Sequence, residues 1–528
     1  MGLVVEERSR HSFPAARTHP QLERQRVKQD IYINHTPQET RIAIVEDGSL
    51  AEFLVERRQE RGIAGNMYKG KVSRVLPGMQ AAFVDIGMDK AAFLHVSDFF
   101  TSSEIGAYTA AENEIIVEAP KPAHPSRRLP IEKQLTHGQE ILVQVAKDPL
   151  GTKGARITSH VSLPGRYLVF MPNVSHVGIS RRIEDDKERK RLKEIALSMS
   201  TEEGGFILRT ASEGRSKREI QRDLAFLTKL WRGIKKKAET APAPSLIHQD
   251  IDLVTRTIRD FFTTETHQVY VDQVKEYRRI LEFVSHFMPR LKSKVTVYTD
   301  PEPIMDHFGV EAQVTKALES KVWLRSGGYL VIGRTEALTA IDVNTGRFVG
   351  RRNQEETIFR TNLEAAEEVV HQLRLRNIGG IIVIDFIDME KEGNRKRVYE
   401  TLKEAIKKDK ARTNILKISE LGLVEMTRQR TRESLENMLL APCSYCDGHG
   451  RVKSNVTVAY EILRAIKKEK TQLQDGKRIV VRLHPDIANF LYDDENQSLD
   501  FLEREINHKI ILKAAERLRH DQYEISTI

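Results

Sequence analysis

The stretch of the 528-residue sequence that most restricts the fold is Gly379-Gly380-Ile381-Ile382-Val383-Ile384-Asp385. Its four consecutive β-branched residues predict a strand that is apolar on both faces and therefore central in a sheet. The two glycines stop an amphipathic helix that we predict for residues 362–376. Strand-like runs at 329–332 and 337–343 precede that helix, so the pattern of residues 321–440 indicates an α/β domain.

Acidic and amide side chains stand at the ends of two of these predicted strands. Asp342 and Asn344 are two positions apart and point to the same face of a strand, and Asp385 lies at the rim of the buried run. If the two strands are neighbours, three oxygen donors converge in the arrangement that Mg²⁺ prefers. Asp342 capping a turn and Asp385 beginning a loop would explain the same residues, and Asp388 could replace Asp385. The pattern alone leaves these alternatives open.

The region N-terminal to this domain, residues 66–146, indicates a small β-barrel. Short strands are predicted in four places, residues 67–75, 81–86, 91–95 and 141–145. The segment 101–134 is rich in proline and charge, so we predict a flexible insertion there. Short strands with turns and one long insertion are typical of an OB fold.

Aromatic residues and cations occur together in and beside the predicted barrel strands. Phe83 and Phe93 are accompanied by five cations, Lys69, Lys71, Arg74, Lys147 and Lys153. Exposed aromatic rings with flanking cations can stack bases and neutralise phosphates. Buried phenylalanines with solvated lysines are the plainer alternative; the combination of residues favours RNA.

Cys443 and Cys446 are the two cysteines of the chain. Two thiolates at this spacing can bind one Zn²⁺ at a turn, but structural zinc takes four ligands. His449 is very close to the pair, so a second copy of the chain is the simplest source of the missing thiolates. A redox pair is the alternative, and it lacks the expected βαβ setting.

The run 206–214 predicts a strand that ends in Arg209 and Thr210 at a turn of small residues. A guanidinium and a hydroxyl at such a turn can bind a phosphate. A surface arginine without a ligand is the commoner explanation of the same pattern.

Composition restricts the partners and the compartment. The formal net charge is +9 and the isoelectric point is near 9.2, which favours a polyanionic partner over a merely soluble basic surface. The longest apolar run is too short to cross a membrane. Residues 1–28 lack the apolar core of a secretory signal, so we expect a disordered extension and a cytoplasmic protein.

Several motifs occur together in one order over residues 30–528: Tyr68-Lys69-Gly70 and the runs 80–87, 148–155, 337–346, 379–389, 422–430 and 443–450. In this order they resemble the ribonuclease E/G family. The short chain after residue 450 is similar to the branch of the family that lacks a long disordered scaffold. The leader 1–28 and the insertion 101–134 are departures from the family pattern, and neither removes a matched residue.

The resemblance implies an α/β multidomain architecture. The implied parts are an RNase H-like domain in two segments (29–62 and 254–317), an OB-fold barrel (63–153), a 5′-end sensor (154–253), a DNase I-like catalytic domain (318–439), a zinc link (440–450) and a small α/β dimerisation domain (451–528).

The resemblance also implies roles for particular residues. Asp342, Asn344 and Asp385 match the catalytic set, in which the two aspartates hold Mg²⁺. The remaining matches are the RNA-binding positions Phe83, Phe93, Lys147 and Lys153, the 5′-phosphate sensor Gly165, Val169, Arg209 and Thr210, and the zinc ligands Cys443 and Cys446, which two chains share.

The implied activity is hydrolysis of single-stranded, A/U-rich RNA to 5′-phosphate and 3′-hydroxyl ends, with a preference for 5′-monophosphorylated substrates. The implied substrates are ribosomal RNA precursors and messenger RNA, and the implied assembly is a homodimer or homotetramer. A non-catalytic RNA-binding protein that uses only the barrel is the rival hypothesis. A zinc-linked assembly protein is a third.

Overall fold

The computed structural model describes residues 28–99, 114–116, 129–149, 153–172, 174, 177–183, 185–199, 203–346, 354–417, 419, 422–430, 432–469 and 478–528. The chain forms two compact units, Met1–Leu435 and Glu436–Ile528. Within the described ranges, no helix has both the length and the apolar character needed to cross a membrane. The predicted leader, residues 1–28, lies outside the described residues except for Lys28.

The strands of the first unit, in chain order, are β1 (Gln29–His35), β2 (Glu39–Glu46), β3 (Ser49–Arg57), β4 (Met67–Leu76), β5 (Ala81–Asp85), β6 (Ala92–His95), β7 (Glu114–Ile116), β8 (Glu140–Lys147), β9 (Arg156–Thr158), β10 (Leu163–Pro164), β11 (Leu168–Met171), β12 (Val177–Ser180), β13 (Gly205–Leu208), β14 (Ser245–His248), β15 (Thr266–Val271), β16 (Val295–Val297), β17 (Lys321–Trp323), β18 (Tyr329–Arg334), β19 (Leu338–Asn344), β20 (Gly380–Asp385), β21 (Thr413–Ile415) and β22 (Leu423–Arg428). The second unit contains β23 (Ile479–Leu483), β24 (Ile510–Ala514) and β25 (Tyr523–Thr527).

The α-helices are α1 (Ile131–Gln134), α2 (Asp186–Leu197), α3 (Lys217–Thr240), α4 (Leu253–Phe261), α5 (Val274–Phe287), α6 (Ile304–His307), α7 (Val310–Lys316), α8 (Gln354–Leu375), α9 (Glu392–Ile406), α10 (Leu435–Leu439), α11 (Asn455–Glu469), α12 (Pro485–Asp493) and α13 (Asn496–Ile506). Short 3₁₀ helices occur at Arg58–Glu60, Pro77–Met79, Val96–Asp98, Thr210–Ser212 and Pro289–Lys294.

Five strands close into a barrel in the order β4-β5-β6-β9-β8, because β8 pairs back onto β4, and β14 extends the sheet from the other edge of β4. Alternate residues such as Val84 and Leu94 are fully buried inside it. The closed barrel fits the predicted OB fold.

The segment that we predicted to be a flexible insertion is partly ordered. Ile131 of α1 is fully buried in the barrel core, and β7 pairs with β12. The prediction is therefore wrong for 131–134 and 114–116, because an apolar residue after the proline-rich run packs into the core. The other residues of 101–134, apart from 129–130, lie outside the described residues.

Two further sheets are built from strands that lie before, within or after the barrel segment along the chain. Strands on either side of the barrel form one sheet in the order β16-β15-β1-β2-β3, so residues 29–57 and 266–297 belong together. The other sheet has the order β10-β11-β13-β12-β7. After Val177–Ser180 pairs as β12, α2 begins at Asp186, and the Asp185 side chain caps it.

A six-stranded sheet has the order β17-β18-β19-β20-β22-β21. One face is covered by α8 and α9, which share a core with Ile341, Ile382 and Ile384. The central position predicted for β20 is confirmed. The prediction that both of its faces are buried is wrong: Ile381 is 51% exposed, because both covering helices pack on the other face.

Helix α8 begins at Gln354 rather than at the predicted residue 362. Its first turns include Thr357, Ile358 and Thr361, whose β-branched side chains have low helix propensity. Packing on the sheet overrides that preference, since Thr357 and Thr361 are buried.

The second unit is a small α/β layer. Its sheet has the order β24-β23-β25, and α11, α12 and α13 share one core with it. The predicted small C-terminal α/β domain is therefore present in 455–528.

Candidate active site

The parallel pair β19–β20 brings the predicted acidic residues together. Asp342 and Asp385 are direct partners in the register. Asn344 lies two residues further on the same face, and its Nδ2 donates a hydrogen bond of 2.8 Å to Oδ2 of Asp342. Both aspartates are exposed on the face of the sheet that α8 and α9 leave open. Asp388 follows in the loop after β20 and is not part of this register.

The site has the electrostatics of a cation site. Partial burial, followed by the charges of Asp342 and Asp388, raises the pKa of Asp385 above its ordinary value. Facing carboxylates repel each other, and a bound cation removes that penalty. The donors are all oxygen atoms and the face is open, which fits Mg²⁺ with its remaining positions left to water and phosphate.

Three-ligand clusters occur elsewhere in the described ranges. The groups whose ligand atoms lie within 4.8 Å of one another are His484-Asp486-His520 and Asp300-Glu302-His307. Neither includes Asp342 or Asp385. The acidic site is different: it offers two carboxylates and one amide. Mg²⁺ commonly uses such a small set of protein ligands.

Asn362, which the sequence did not single out as a site residue, fixes the loop that follows Asp385. Its fully buried side chain donates a hydrogen bond of 2.7 Å to the carbonyl oxygen of Ile387 and accepts one of 3.1 Å from the Ile387 amide. A buried amide inside the apolar face of α8 is the sequence signal that could have revealed it.

The predicted RNA-binding aromatics are neighbours on the outside of the barrel. Phe83 of β5 pairs with Phe93 of β6, and their ring centroids are 6.0 Å apart in an edge-to-face arrangement. Both are half-exposed. The register continues across the barrel from Arg74 through these two rings to Arg156 and Lys147.

This row of residues puts cations on both sides of the aromatic pair. Arg156 was missed from the sequence; its guanidinium binds the Asp98 carboxylate at 2.7 Å. Lys153 and Lys147 are exposed. Lys69 is instead engaged by Glu140 at 3.0 Å and by the Ala241 carbonyl at 2.9 Å, so it contributes less free charge.

The predicted sensor residues lie around the turn between β10 and β11. The Arg209 guanidinium donates a hydrogen bond of 2.7 Å to the Gly165 carbonyl and forms an ion pair of 2.9 Å with Asp260. Burial alone would raise the pKa of Asp260, but Arg259 and Arg209 hold it below its ordinary value. Val169 lies on β11 opposite Ile207.

Arg209 and the exposed Thr210 line a cavity of about 490 Å³. The cavity also contains Arg166, Arg256 and Arg259. Lys410 lines it too: its ammonium lies 3.2 Å from the centre of the Phe261 ring, and burial lowers its pKa to about 8. Three acids, Glu52, Asp260 and Asp409, also line the cavity, but its basic residues outnumber them, so the cavity suits an anionic group such as a phosphate.

The two cysteines lie in a turn of the second unit. The Gly450 amide donates to Sγ of Cys446 at 3.2 Å, and backbone hydrogen bonds from Cys446 and Tyr445 lower the pKa of the Cys443 thiol. Arg519 holds the turn through Asp447 at 2.9 Å. A lowered pKa favours the thiolate form of Cys443, and the thiolate is the form that binds Zn²⁺.

Within the residues that can be described, no other side chain joins these two sulfurs in a cluster of three potential ligands. The pair precedes α11, and the described residues of the second unit contain no strand before it. The redox setting of a strand followed by the cysteine pair and a helix is therefore not formed by these residues.

An acidic pair on an open sheet face, together with a barrel that carries aromatic rings between cations, defines a protein of the nuclease class. The family described as "Ribonuclease E/G family" matches residues 162–431, and "RNase E/G, Thioredoxin-like domain" matches 442–528. The chain belongs to the ribonuclease E/G family. Membership confirms the predicted enzyme class, an endoribonuclease, and implies metal-dependent catalysis.

Relatives of both branches of this family match the chain. Ribonuclease G of Escherichia coli strain K12 is 45% identical over 94% of this chain and 99% of its own length. Ribonuclease G of Haemophilus influenzae is 46% identical over the same shares. Ribonuclease E of Escherichia coli is 39% identical over 89% of this chain but 43% of its own length. The predicted similarity to the shorter branch is thus confirmed.

Proposed function

We propose that this endoribonuclease hydrolyses single-stranded, A/U-rich RNA with Mg²⁺ and leaves 5′-phosphate and 3′-hydroxyl ends. The observation that carries the proposal is the register of Asp342 against Asp385, with Asn344 bonded to Asp342, on an open sheet face.

Each residue of the acidic site has a distinct task in this proposal. When held by Asp342 and Asp385, Mg²⁺ would offset charge on the phosphoryl oxygens and activate a water molecule. Asn344 orients the Asp342 carboxylate through its amide N–H. Asn362 fixes the loop after Asp385, so the two carboxylates keep their separation as the substrate binds.

The barrel binds the unpaired strand. Phe83 and Phe93 stack bases, while Lys147 and Lys153 neutralise phosphates. The edge-to-face contact and partial exposure of the two phenylalanine rings support this role, because the rings lie side by side and are accessible to a base.

The sensor residues read the 5′ end of the RNA. Arg209 and Thr210 bind a 5′-monophosphate, and Gly165 and Val169 shape the turn beside them. A terminal phosphate would replace Asp260 as the partner of Arg209. The first cut then creates a better substrate for the next one.

Cys443 and Cys446 share one Zn²⁺ with the same pair of a second chain, which gives a homodimer or a homotetramer. The two-sulfur turn and the lack of a third ligand among the described residues support sharing.

The proposed domains follow the boundaries predicted from the sequence. The single sheet built from 29–57 and 266–297 supports an RNase H-like domain split around the barrel. The six-stranded sheet supports a DNase I-like catalytic domain at 318–439. Maturation of ribosomal RNA and decay of messenger RNA in the cytoplasm stay predictions about the cellular role.

Cleavage of a short unpaired RNA tests the proposal. Wild type should cut it with Mg²⁺ and stop when a chelator removes the metal. Asp342→Ala should bind the RNA but not cut it. The matched control is Glu404→Gln, an exposed acid of α9 on the covered side of the sheet, which should cut normally. RNA binding without any wild-type cleavage would favour the rival, a non-catalytic RNA-binding protein.

A further inference from the structure

The open face of the six-stranded sheet carries an aromatic pair beside the acidic site. Trp323 of β17 pairs with Tyr329 of β18, and Tyr329 pairs with Asn344 of β19. Direct partners in neighbouring strands share a face, so Trp323, Tyr329 and Asn344 form one row. Trp323 is therefore two strands, or about 10 Å, from Asn344.

Lys321 fixes the orientation of this pair. Its ammonium lies 4.0 Å from the ring centroid of Trp323 and 3.7 Å from that of Tyr329. The two centroids are 5.4 Å apart at an interplanar angle of 63°. Lys321 also lies in the row that runs through Val331 to Asp342, so a positive charge stands in line with the acidic pair.

The indole is arranged for a ligand rather than for the core. Trp323 is 60% exposed, although burying an indole is one of the largest apolar contributions to stability. Lys321 lies over its ring and Tyr329 lies against it, yet the residue remains largely exposed. Two aromatic side chains that a cation fixes side by side on one open sheet face offer a ring surface on which the ring of a ligand can stack.

We propose that Trp323, held by Lys321 and Tyr329, is a stacking platform for an unpaired base of the RNA next to the scissile phosphodiester. This inference rests on the proposed function, since it takes the acidic pair as the cleavage site. An indole stacks any base through its π-face, and the Lys321 ammonium attracts the phosphates of the same strand. The platform is separate from Phe83 and Phe93, which belong to the barrel.

Intrinsic fluorescence gives a direct measurement, because Trp231 and Trp323 are the two tryptophans of the chain. The Trp231→Phe, Asp385→Asn double variant reports only Trp323 and does not consume the RNA. Titration with a short unpaired RNA should quench its fluorescence, and the midpoint should match that of RNA binding measured by anisotropy. Binding without a change in fluorescence would overturn the platform.

Kinetics of otherwise wild-type chains provide the second arm. Trp323→Leu should raise KM or weaken RNA binding about tenfold, as expected for one lost stacked base, and Trp323→Phe should restore most of the loss. An abasic nucleotide placed next to the cut should raise the KM of the wild-type enzyme, because the platform then has no base to stack. The same substrate should not raise the KM of Trp323→Leu further. The matched control is Phe501→Leu, an exposed aromatic residue of the other unit.

The outcomes separate this inference from the proposed function. Normal Mg²⁺-dependent cleavage with no effect of Trp323→Leu would overturn the platform alone. No wild-type cleavage, with quenching retained, would overturn the hydrolysis and keep the platform as an RNA-binding surface. If Trp323→Leu changes only the mass of the protein in solution, the face contacts another copy of the chain and the platform is wrong.

Discussion

The carboxylate of Asp223 occupies the space that a side chain at position 165 would need: a Cβ added to Gly165 would lie 2.5 Å from Oδ2 of Asp223. Asp223 is buried and accepts hydrogen bonds from the amides of Tyr167 and Leu168 at 2.7 and 3.2 Å. Gly165 in turn accepts from Arg209. A buried carboxylate thus holds the turn that orients the proposed sensor arginine.

Gly165→Ala should therefore displace this turn. We expect a loss of about 1–3 kcal/mol in the free energy of unfolding, as for other overpacked sites, and a smaller rate advantage of 5′-monophosphate over 5′-hydroxyl RNA. Gly233→Ala is the matched control, because nothing lies within 4 Å of the added Cβ. Denaturant unfolding measures the loss of stability, and cleavage rates on 5′-monophosphate and 5′-hydroxyl RNA give the rate ratio. If the variant is destabilised but the rate ratio is unchanged, this turn has no part in sensing the 5′ end.

Arg209→Ala should narrow the same rate ratio while leaving cleavage of 5′-hydroxyl RNA nearly unchanged, because the terminal phosphate loses its guanidinium partner whereas Asp260 keeps Arg259. Arg232→Ala removes an exposed ion pair with Glu203 and is the control for the loss of a surface charge. A ratio equal to that of wild type would remove Arg209 from the sensor.

Asn362→Ala should reduce turnover about 10- to 100-fold, as removal of groups that position metal ligands commonly does. The Ile387 amide and carbonyl lose their partner, so the Asp385 side of the site becomes mobile. The Mg²⁺ concentration that gives half-maximal rate should rise, whereas RNA binding by the barrel should not change. Weaker RNA binding with normal Mg²⁺ dependence would argue against this positioning role.

Cleavage should fall on acidification. The pKa of Asp385 is raised by burial and by the charges of Asp342 and Asp388. Protonation of Asp385 therefore competes with Mg²⁺ at a higher pH than it would at an ordinary aspartate. Activity is lost as the pH falls through that raised pKa. Asp388→Asn removes one repelling charge and should move the acid limb of the rate profile to lower pH. Glu404→Gln, which removes an exposed charge of α9 on the other side of the sheet, should leave the acid limb in place; an equal shift in both variants would contradict the local cause.

Cys446→Ser should abolish zinc binding and weaken the dimer, since each chain offers two thiolates and a structural site needs four ligands. Metal analysis and mass in solution measure the two effects, with Ser444→Ala as the control within the same turn. Normal zinc content and mass in the Cys446→Ser protein would refute the shared site.

The sequence predicted β18, β19 and β20 of the six-stranded sheet and β4, β5, β6 and β8 of the barrel, because their periodicity and glycine breaks are local; the short strands β9, β17 and β21 and the edge-side β22 were not predicted. It also placed Asp342 and Asn344 on one face. It could not predict that β19 and β20 align Asp342 with Asp385, because a register depends on contacts between distant segments. The open face at Ile381 was missed for a similar reason: a run of four apolar residues looks the same whether one or both faces are covered.

Residues that support the site were hidden from the sequence. Arg156 joins the row of Phe83 and Phe93 only through pairing across the barrel. Asp223 lies on α3 and reaches the turn of Gly165 only in the folded chain. The start of α8 was missed because packing, rather than propensity, stabilises its first turns.

The most direct test of the central claim is the rate at which Asp385→Asn cuts a 5′-monophosphorylated unpaired RNA at saturating substrate and Mg²⁺, compared with wild type. We predict a fall of about a hundredfold or more, because several kcal/mol of charge stabilisation are lost, while the affinity for the RNA stays close to that of wild type. Turnover retained at the wild-type rate would contradict the assignment of Asp342 and Asp385 as the catalytic pair.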